Sequence, residues 1–133
     1  MGTNVEVVQR LFAAVEQRDL PAMLECYDED VEIHEATSLP YGGVYRGHEG
    51  AVRHARGFQA TWARYQTPDE YPLLAAFADV RDGAVVAVFR HRAVDPARGR
   101  RIDEAEVGLY LVCDEKIVRS QTSLAYAAAV DQV

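Results

Sequence analysis

The hydrophobic pattern of the chain changes its period near residue 67, and this change limits the possible folds more than any other feature. Before it, apolar residues recur at helical spacing in three stretches, 5–18, 20–27 and 47–65. One short alternating stretch, 31–35, lies among them. After it, apolar and polar residues alternate as in strands, through 71–80, 84–94, 102–113 and 117–125. Helices followed by an antiparallel meander predict an α+β fold.

Length and charge limit the partners. The 133 residues suit one domain, 1–133, with a sizeable core. A net charge of -7 opposes both nucleic acid and anionic membranes, so a small molecule is the expected partner. Cys26 and Cys113 are isolated and predict reduced thiols. The first residues contain no long apolar run, and we therefore expect a cytoplasmic protein without a signal peptide.

Two hairpins determine which side chains share a face of the predicted sheet. A two-residue turn at Asp82-Gly83 sets Arg81 opposite Ala84. In the next hairpin, opposite charges favour Arg92 opposite Asp103. That register pairs the following residues on one face: His91 with Glu104, Phe89 with Glu106, Ala87 with Gly108 and Val85 with Tyr110.

The two faces of this sheet differ in side-chain size. The first also collects Ala76, Ala78, Ala87 and Gly108, which are too small to fill the space beneath three helices, so we expect a hollow there. The other face is apolar and would need a cover. Its residues are Val86, Val88, Val107, Leu109 and Leu111. We therefore predict that two copies of the chain associate through this outer face as a homodimer.

The segment "VEIHEATSLPYGGVYRGHEG" places two tyrosines just after a strand that ends in a carboxylate. His34 and Glu35 are adjacent on the strand and face opposite sides. Gly42 and Gly43 permit a sharp turn between Tyr41 and Tyr45. The loop either folds the two phenols over a pocket that contains Glu35, or is an ordinary loop with aromatic plugs.

The segments "VVQRLFAAVEQRDLPAMLECYDEDVEIHE" and "SLPYGGVYRGHEGA" resemble the opening helices, first strand and pocket loop of the SnoaL-like polyketide cyclases. These belong to the nuclear transport factor 2-like superfamily. The resemblance implies a cone-shaped barrel, with N-terminal helices packed on a curved, mostly antiparallel sheet. It covers nearly the whole chain. The superfamily includes isomerases, dehydratases, cyclases, epoxide hydrolases and pure binding proteins, so the resemblance implies a fold rather than one reaction.

A related enzyme, ketosteroid isomerase, can be compared by position. The resemblance places its general-base aspartate at Glu35. Its oxyanion-binding tyrosine falls on Leu11 and its protonated aspartic acid on Gly108, so steroid isomerisation is not expected.

Glu35 is the first candidate for catalysis, because a carboxylate that loses hydration in an apolar cavity becomes a stronger base. The alternatives are that it points to solvent or pairs with Arg46. His91, held by Glu104 or Glu106, would be the complementary acid or base. Structural explanations compete here too: a buried histidine satisfied by a carboxylate, and a solvated barrel mouth at Glu104.

The expected substrate-binding residues are aromatic: Tyr41, Tyr45, Phe58, Trp62 and Tyr110. Core packing is the alternative for Phe58 and Trp62. No recognised metal spacing or nucleotide motif is present, so we predict neither a metal nor a cofactor. The sequence predicts a cofactor-independent acid/base enzyme, a cyclase or isomerase of secondary metabolism acting on a hydrophobic carbonyl or epoxide compound. The alternatives are a non-catalytic small-molecule-binding or dimeric interaction module, and an epoxide hydrolase or dehydratase.

Overall fold

The computed structural model describes residues 3–37, 39–63, 65 and 74–122. Within these residues, three helices and six strands follow one another. They are α1 (Asn4–Glu16), α2 (Leu20–Cys26), β1 (Tyr27–Glu35), β2 (Gly43–Arg46), α3 (Gly47–Trp62), β3 (Leu74–Arg81), β4 (Ala84–Asp95), β5 (Arg100–Cys113) and β6 (Lys116–Thr122). The α+β class and the order of the predicted elements are confirmed. The predicted strand residues 71–73 and 123–125 lie outside the described part.

Side-chain caps determine where the first two helices begin. The Thr3 hydroxyl accepts the backbone N–H of Glu6 at 3.1 Å, and the Asp19 carboxylate accepts that of Ala22 at 3.1 Å. Pro21 lies in the first turn of α2, where its missing N–H has no intrahelical partner to lose. None of the helices in the described ranges is long and apolar enough to cross a bilayer.

The strands form one sheet in the order β2-β1-β6-β5-β4-β3, in which β1 and β6 run parallel and all other neighbours run antiparallel. The predicted packing of the helices on a curved, mostly antiparallel sheet is confirmed; among the described strands β2 and β3 are edges, so the sheet is open rather than closed into a barrel. Strand β1 is longer than predicted, because the acidic run Asp28–Asp30 belongs to it. Strand β2 was missed, since its four residues begin at the second glycine of the Gly-Gly pair and are too few to show a period.

The register predicted for β4 and β5 is confirmed, with Arg92 opposite Asp103 and His91 opposite Glu104. The register predicted for β3 is wrong by one residue. Arg81 does lie opposite Ala84, but the pairing shifts between Asp79 and Arg81, so Phe77 lies opposite Ala87. An extra residue in one strand moves the side chains beyond it to the other face. Ala76 and Ala78 are therefore exposed rather than turned to the core.

Aromatic rings occupy the space in which we expected a hollow. The ring of Phe12, from α1, makes edge contacts with Phe77, Phe89 and Tyr110 at centroid distances of 5.1, 5.0 and 5.8 Å. Ala87 is fully buried among these residues. The prediction of a hollow above Ala87 and Gly108 is wrong, because the shift in β3 brings a phenylalanine inward.

The outer face of the sheet is apolar, as predicted. Val88, Val107 and Leu109 keep 48%, 45% and 41% of their surface exposed. At one end of this face, Arg90 and Arg92 both donate to the Asp103 carboxylate. The Arg90 hydrogen bond, followed by the charges of the two arginines, holds the pKa of Asp103 below its usual value.

Candidate active site

Glu35 and Thr122 meet because β1 and β6 are parallel and end at the same edge of the sheet. His34 pairs with Gln121 in the ladder, so the next residues along each strand, Glu35 and Thr122, lie side by side. The Thr122 hydroxyl donates a hydrogen bond to Oε2 of Glu35. The side chain of Glu35 is only 7% exposed. The predicted alternative of a solvent-facing Glu35 is wrong.

The second partner of Glu35 is His54, from the middle of α3. His54 Nε2 lies 2.8 Å from Glu35 Oε1, and the imidazole is 13% exposed. One partner thus occupies each carboxylate oxygen. A carboxylate has about four acceptor sites, so both oxygens can still accept a further hydrogen bond or a proton.

Two glycines on α3 let the loop after β1 close over this histidine. Gly50 and Gly57 flank His54 at helical spacings of four and three residues, on the same face. A Cβ at Gly57 would lie 2.8 Å from Cβ of Tyr41, and one at Gly50 would lie 3.0 Å from the carbonyl carbon of Tyr45. Only residues without a side chain permit such close approach.

The two tyrosines therefore contact the imidazole directly. The rings of Tyr41 and Tyr45 lie edge-on to His54, at centroid distances of 5.8 and 5.2 Å. The Tyr45 hydroxyl donates to the backbone carbonyl of Tyr41 at 2.9 Å, and the indole N–H of Trp62 donates to the Tyr41 hydroxyl at 3.0 Å. These bonds fix the position of both rings, which in turn fix the orientation of His54.

Tyr41, Phe58 and Trp62 belong to a separate buried cluster with Leu39, Tyr65, Ala93 and Ile102. Tyr41 is 3% exposed and Trp62 8%. In this structure the three aromatic residues support the site from behind. Their contact with a substrate stays a prediction.

Glu35 is one of the residues that line a cleft of about 330 Å³. Its walls are the ends of β1 and β6 together with the start of β2, and the lining residues are His34, Glu35, Ala36, Thr37, Gly43, Val44, Gln121 and Thr122. The volume falls within the usual range for small-molecule sites. A ligand in this cleft would meet Glu35 and Thr122, whereas His54 lies outside its lining.

Arg46 pairs with Glu32 and not with Glu35. Its guanidinium lies 2.9 Å from Glu32 Oε2, and His34 Nε2 lies 3.0 Å from Glu32 Oε1. The hydrogen bond from His34, and then the charge of Arg46, hold the pKa of Glu32 below its usual value. The alternative of a Glu35–Arg46 ion pair is wrong.

Of the other predicted catalytic residues, Glu106 is 2% exposed, on the inner face of β5. Tyr110 follows it on that face, and burial raises the pKa of its phenol well above 10.0, helped by the nearby Tyr27, Glu106 and Glu35. Burial likewise raises the pKa of Tyr27, with smaller contributions from Cys26 and Glu35. Both phenols therefore stay protonated. The predicted roles of Glu106 and Tyr110 stay predictions.

His91 and Glu104 lie opposite each other in the backbone register, as predicted. Their side chains are outside the described part of the structure. Their proposed catalytic roles therefore stay predictions as well.

His54 and Thr122 were missed by sequence reasoning, for different reasons. His54 interrupts the apolar stripe of α3 between Ala51 and Phe58, and a polar residue in that position was a usable signal. Thr122 gave none, because the parallel pairing of β1 with β6 joins residues 87 positions apart. Within the described ranges, no group of three or more His, Cys, Asp or Glu side chains is placed to hold a metal ion.

Three helices on an open, curved and mostly antiparallel sheet are the fold of the solved NTF2-like proteins that this chain resembles. Residues 8–120 match the family model of the SnoaL-like domain, and the chain belongs to that family.

Known proteins support this assignment over the full length. The uncharacterized protein Rv0034 of Mycobacterium tuberculosis is 30% identical over 131 residues, which cover 96% of this chain and 93% of the relative. An NTF2-like protein of unknown function from Burkholderia pseudomallei superposes with a TM-score of 0.81 at 20% identity, covering 99% of this chain and 97% of its own. A Mesorhizobium loti protein provisionally described as a SnoaL-like polyketide cyclase gives 0.66 at 22% identity, covering 92% and 99%.

Proposed function

We propose that this protein is a cofactor-independent acid/base enzyme, a cyclase or isomerase, that acts on a hydrophobic carbonyl- or epoxide-bearing small molecule of secondary metabolism. The observation that carries the proposal is the Glu35–His54 pair. A mostly buried carboxylate is held on both oxygens and also lines a cleft large enough for a ligand. The name given to the Mesorhizobium loti relative supports the same class of reaction.

In the proposed mechanism, Glu35 removes a proton from the carbon next to a carbonyl group. The C–H electron pair moves into the new enolate, and the proton goes to a carboxylate oxygen of Glu35. Glu35 then returns the proton to another atom of the substrate, which completes an isomerisation or follows a ring closure. Fixing the carboxylate before the substrate arrives lowers the entropic barrier of this step.

His54 and Thr122 position the carboxylate and respond to its change of charge. Thr122 donates one hydrogen bond to the carboxylate, and His54 donates a second when Nε2 carries the proton; hydrogen bonds to an ionised acceptor are stronger than those to a neutral one. The two tyrosines keep the imidazole in place. We therefore assign Glu35 as the catalytic base, with His54 and Thr122 as positioning residues.

The outer face of the sheet supports the second part of the proposal, a homodimer. Val88, Val107 and Leu109 form an exposed apolar surface flanked by the charges of Arg90, Arg92 and Asp103. Two copies related by a two-fold axis would bury the apolar residues against each other. The cleft at Glu35 adjoins this face, because Gln121 of its lining lies opposite Leu109 in the β5–β6 ladder.

The test measures proton abstraction directly, without a known substrate. A panel of cyclic ketones and β-diketones is incubated with the protein in D₂O, and NMR follows deuterium entering the position next to the carbonyl. We expect Glu35→Gln to slow this exchange by at least about a hundredfold while ligand binding is kept. Glu32→Gln is the matched control, because Glu32 is on the same strand and pairs with Arg46 and His34; it should exchange like the wild type.

Two outcomes would contradict the proposal. Equal exchange by the wild type and Glu35→Gln would remove Glu35 from the chemistry. Binding of panel members with no exchange in the wild type would favour the alternative of a non-catalytic binding module.

A further inference from the structure

A second cleft lies at the opposite ends of the same two strands. It has a volume of about 530 Å³ and is bounded by α1, α2 and the start of β6. Cys26 immediately precedes β1 and Lys116 begins β6, whereas Glu35 and Thr122 end these strands. Along β6, the six residue steps from Lys116 to Thr122 separate the two sites by roughly 20 Å. The second cleft is therefore independent of the first.

Small side chains create the cleft where α1 and α2 face each other. Ala13 and Ala14 contribute from α1, and Ala22 contributes from α2. Three methyl groups fill little of the space between two helices. They leave a hollow with an apolar lining, which suits the hydrocarbon part of a ligand.

Two cationic side chains, Arg10 and Lys116, line the cleft beside these alanines. The Cys26 thiol, also part of the lining, donates to the backbone carbonyl of Ala22 at 3.4 Å. The ammonium of Lys116 donates to the backbone carbonyl of Glu25, which anchors it at the cleft. The lining thus carries two positive charges against one carboxylate, that of Glu25, in a chain whose net charge is -7.

We propose that this cleft binds a small monocarboxylate with a short apolar body, whose carboxylate lies between Arg10 and Lys116 and whose hydrocarbon part packs on Ala13, Ala14 and Ala22. Both halves of the ligand follow from the lining. Arginine and lysine donate charge-assisted hydrogen bonds to a carboxylate, and the alanines offer contacts only to apolar groups. The proposal does not depend on the function proposed for Glu35.

The test is a ligand-observed NMR titration of the full chain with hexanoate, and with hexan-1-ol as the uncharged control. We expect hexanoate to bind and hexan-1-ol to bind at least tenfold more weakly. Lys116→Gln should weaken hexanoate binding severalfold, and the double variant Arg10→Gln, Lys116→Gln by about tenfold or more. Arg101→Gln is the control, because it removes an exposed charge near the start of β5, outside the lining of this cleft, and should leave the titration unchanged.

Cys26 supplies an independent report on the location. In a Cys113→Ser background it is the single thiol of the chain. Saturating hexanoate should slow its reaction with the neutral reagent methyl methanethiosulfonate several-fold, and hexan-1-ol should not. The proposal fails if hexanoate does not bind or if hexan-1-ol binds equally well. It also fails if Lys116→Gln and the double variant both titrate like the wild type, or if bound hexanoate leaves the labelling rate of Cys26 unchanged.

Discussion

Removing His54 tests whether burial makes the Glu35–His54 pair important to the fold. His54→Leu keeps an apolar side chain against Tyr41 and Tyr45 but leaves Glu35 with Thr122 as its remaining donor among the described residues. Leaving a buried hydrogen-bonding group without its partner costs about 1–3 kcal/mol, and more when that group carries a charge. Since the group left behind is a carboxylate, we expect about 3 kcal/mol. For a domain of this size that lowers the melting temperature by roughly 10 °C.

A second His–Glu pair, on β1, offers a matched control. His34 and Glu32 lie 3.0 Å apart, close to the 2.8 Å of His54 and Glu35, but their side chains are 25% and 37% exposed rather than 13% and 7%. An exposed pair contributes less than about 1 kcal/mol. His34→Leu should therefore lower the free energy of unfolding by no more than about 0.5 kcal/mol.

Urea unfolding at neutral pH and fixed protein concentration measures the four corners of a double-mutant cycle: wild type, His54→Leu, Glu35→Leu and the double variant. We expect the double variant to be about 2 kcal/mol more stable than the sum of the single effects, because two apolar side chains leave no unpaired charge. A coupling below about 0.5 kcal/mol, or equal losses in His34→Leu and His54→Leu, would refute the reasoning from burial.

Three further predictions concern the core, the loop and the outer face. Burial raises the folded-state pKa of Tyr27 and Tyr110, so above their ordinary pKa of 10.0 unfolding releases a proton from each phenol. Below that pH the two phenols contribute their full stabilisation, and above it the free energy of unfolding falls by about 1.4 kcal/mol per pH unit for each of them. Tyr27→Phe or Tyr110→Phe should each reduce the slope of the unfolding free energy against pH, measured in urea, by that amount. Gly57→Ala places a Cβ 2.8 Å from Tyr41, so thermal unfolding should show a net loss of about 1–2 kcal/mol even though alanine favours helices; a gain in stability would contradict the close contact. Leu109→Lys should convert the proposed dimer to a monomer in sedimentation velocity without unfolding it, and an unchanged mass would exclude this face as the interface.

The helices and strands were predicted from hydrophobic periodicity, which is clear where an element buries one face. The stripe of α1 and the alternation of β4 and β5 gave elements within a few residues of those observed. Opposite charges at Arg92 and Asp103 gave the register between β4 and β5. The bulge near Val80 could not be predicted, because one extra residue in an exposed edge strand leaves the alternation on each side intact.

Sequence reasoning predicted one part of the candidate site and missed the other. Glu35 was identified, but its partners come from another element, and no local pattern joins them to it. His54 approaches Glu35 only because α3 packs on β1, and Thr122 only because β6 returns parallel to β1. Tyr41 and Tyr45 were expected to fold over Glu35, and in the structure they contact His54, which in turn contacts the carboxylate.

The spacing of Gly50, His54 and Gly57 explains why the loop and the carboxylate depend on one another. A larger residue at either glycine would lift a tyrosine from the helix, and the imidazole would then lose the ring that holds it against Glu35. The geometry of the carboxylate therefore depends, through His54, on residues that do not touch it. A substitution at Tyr41 or Tyr45 should alter the proposed reaction at Glu35 through the orientation of His54, and Tyr45→Phe, which removes only the hydrogen bond to the Tyr41 carbonyl, is the smallest change that does so.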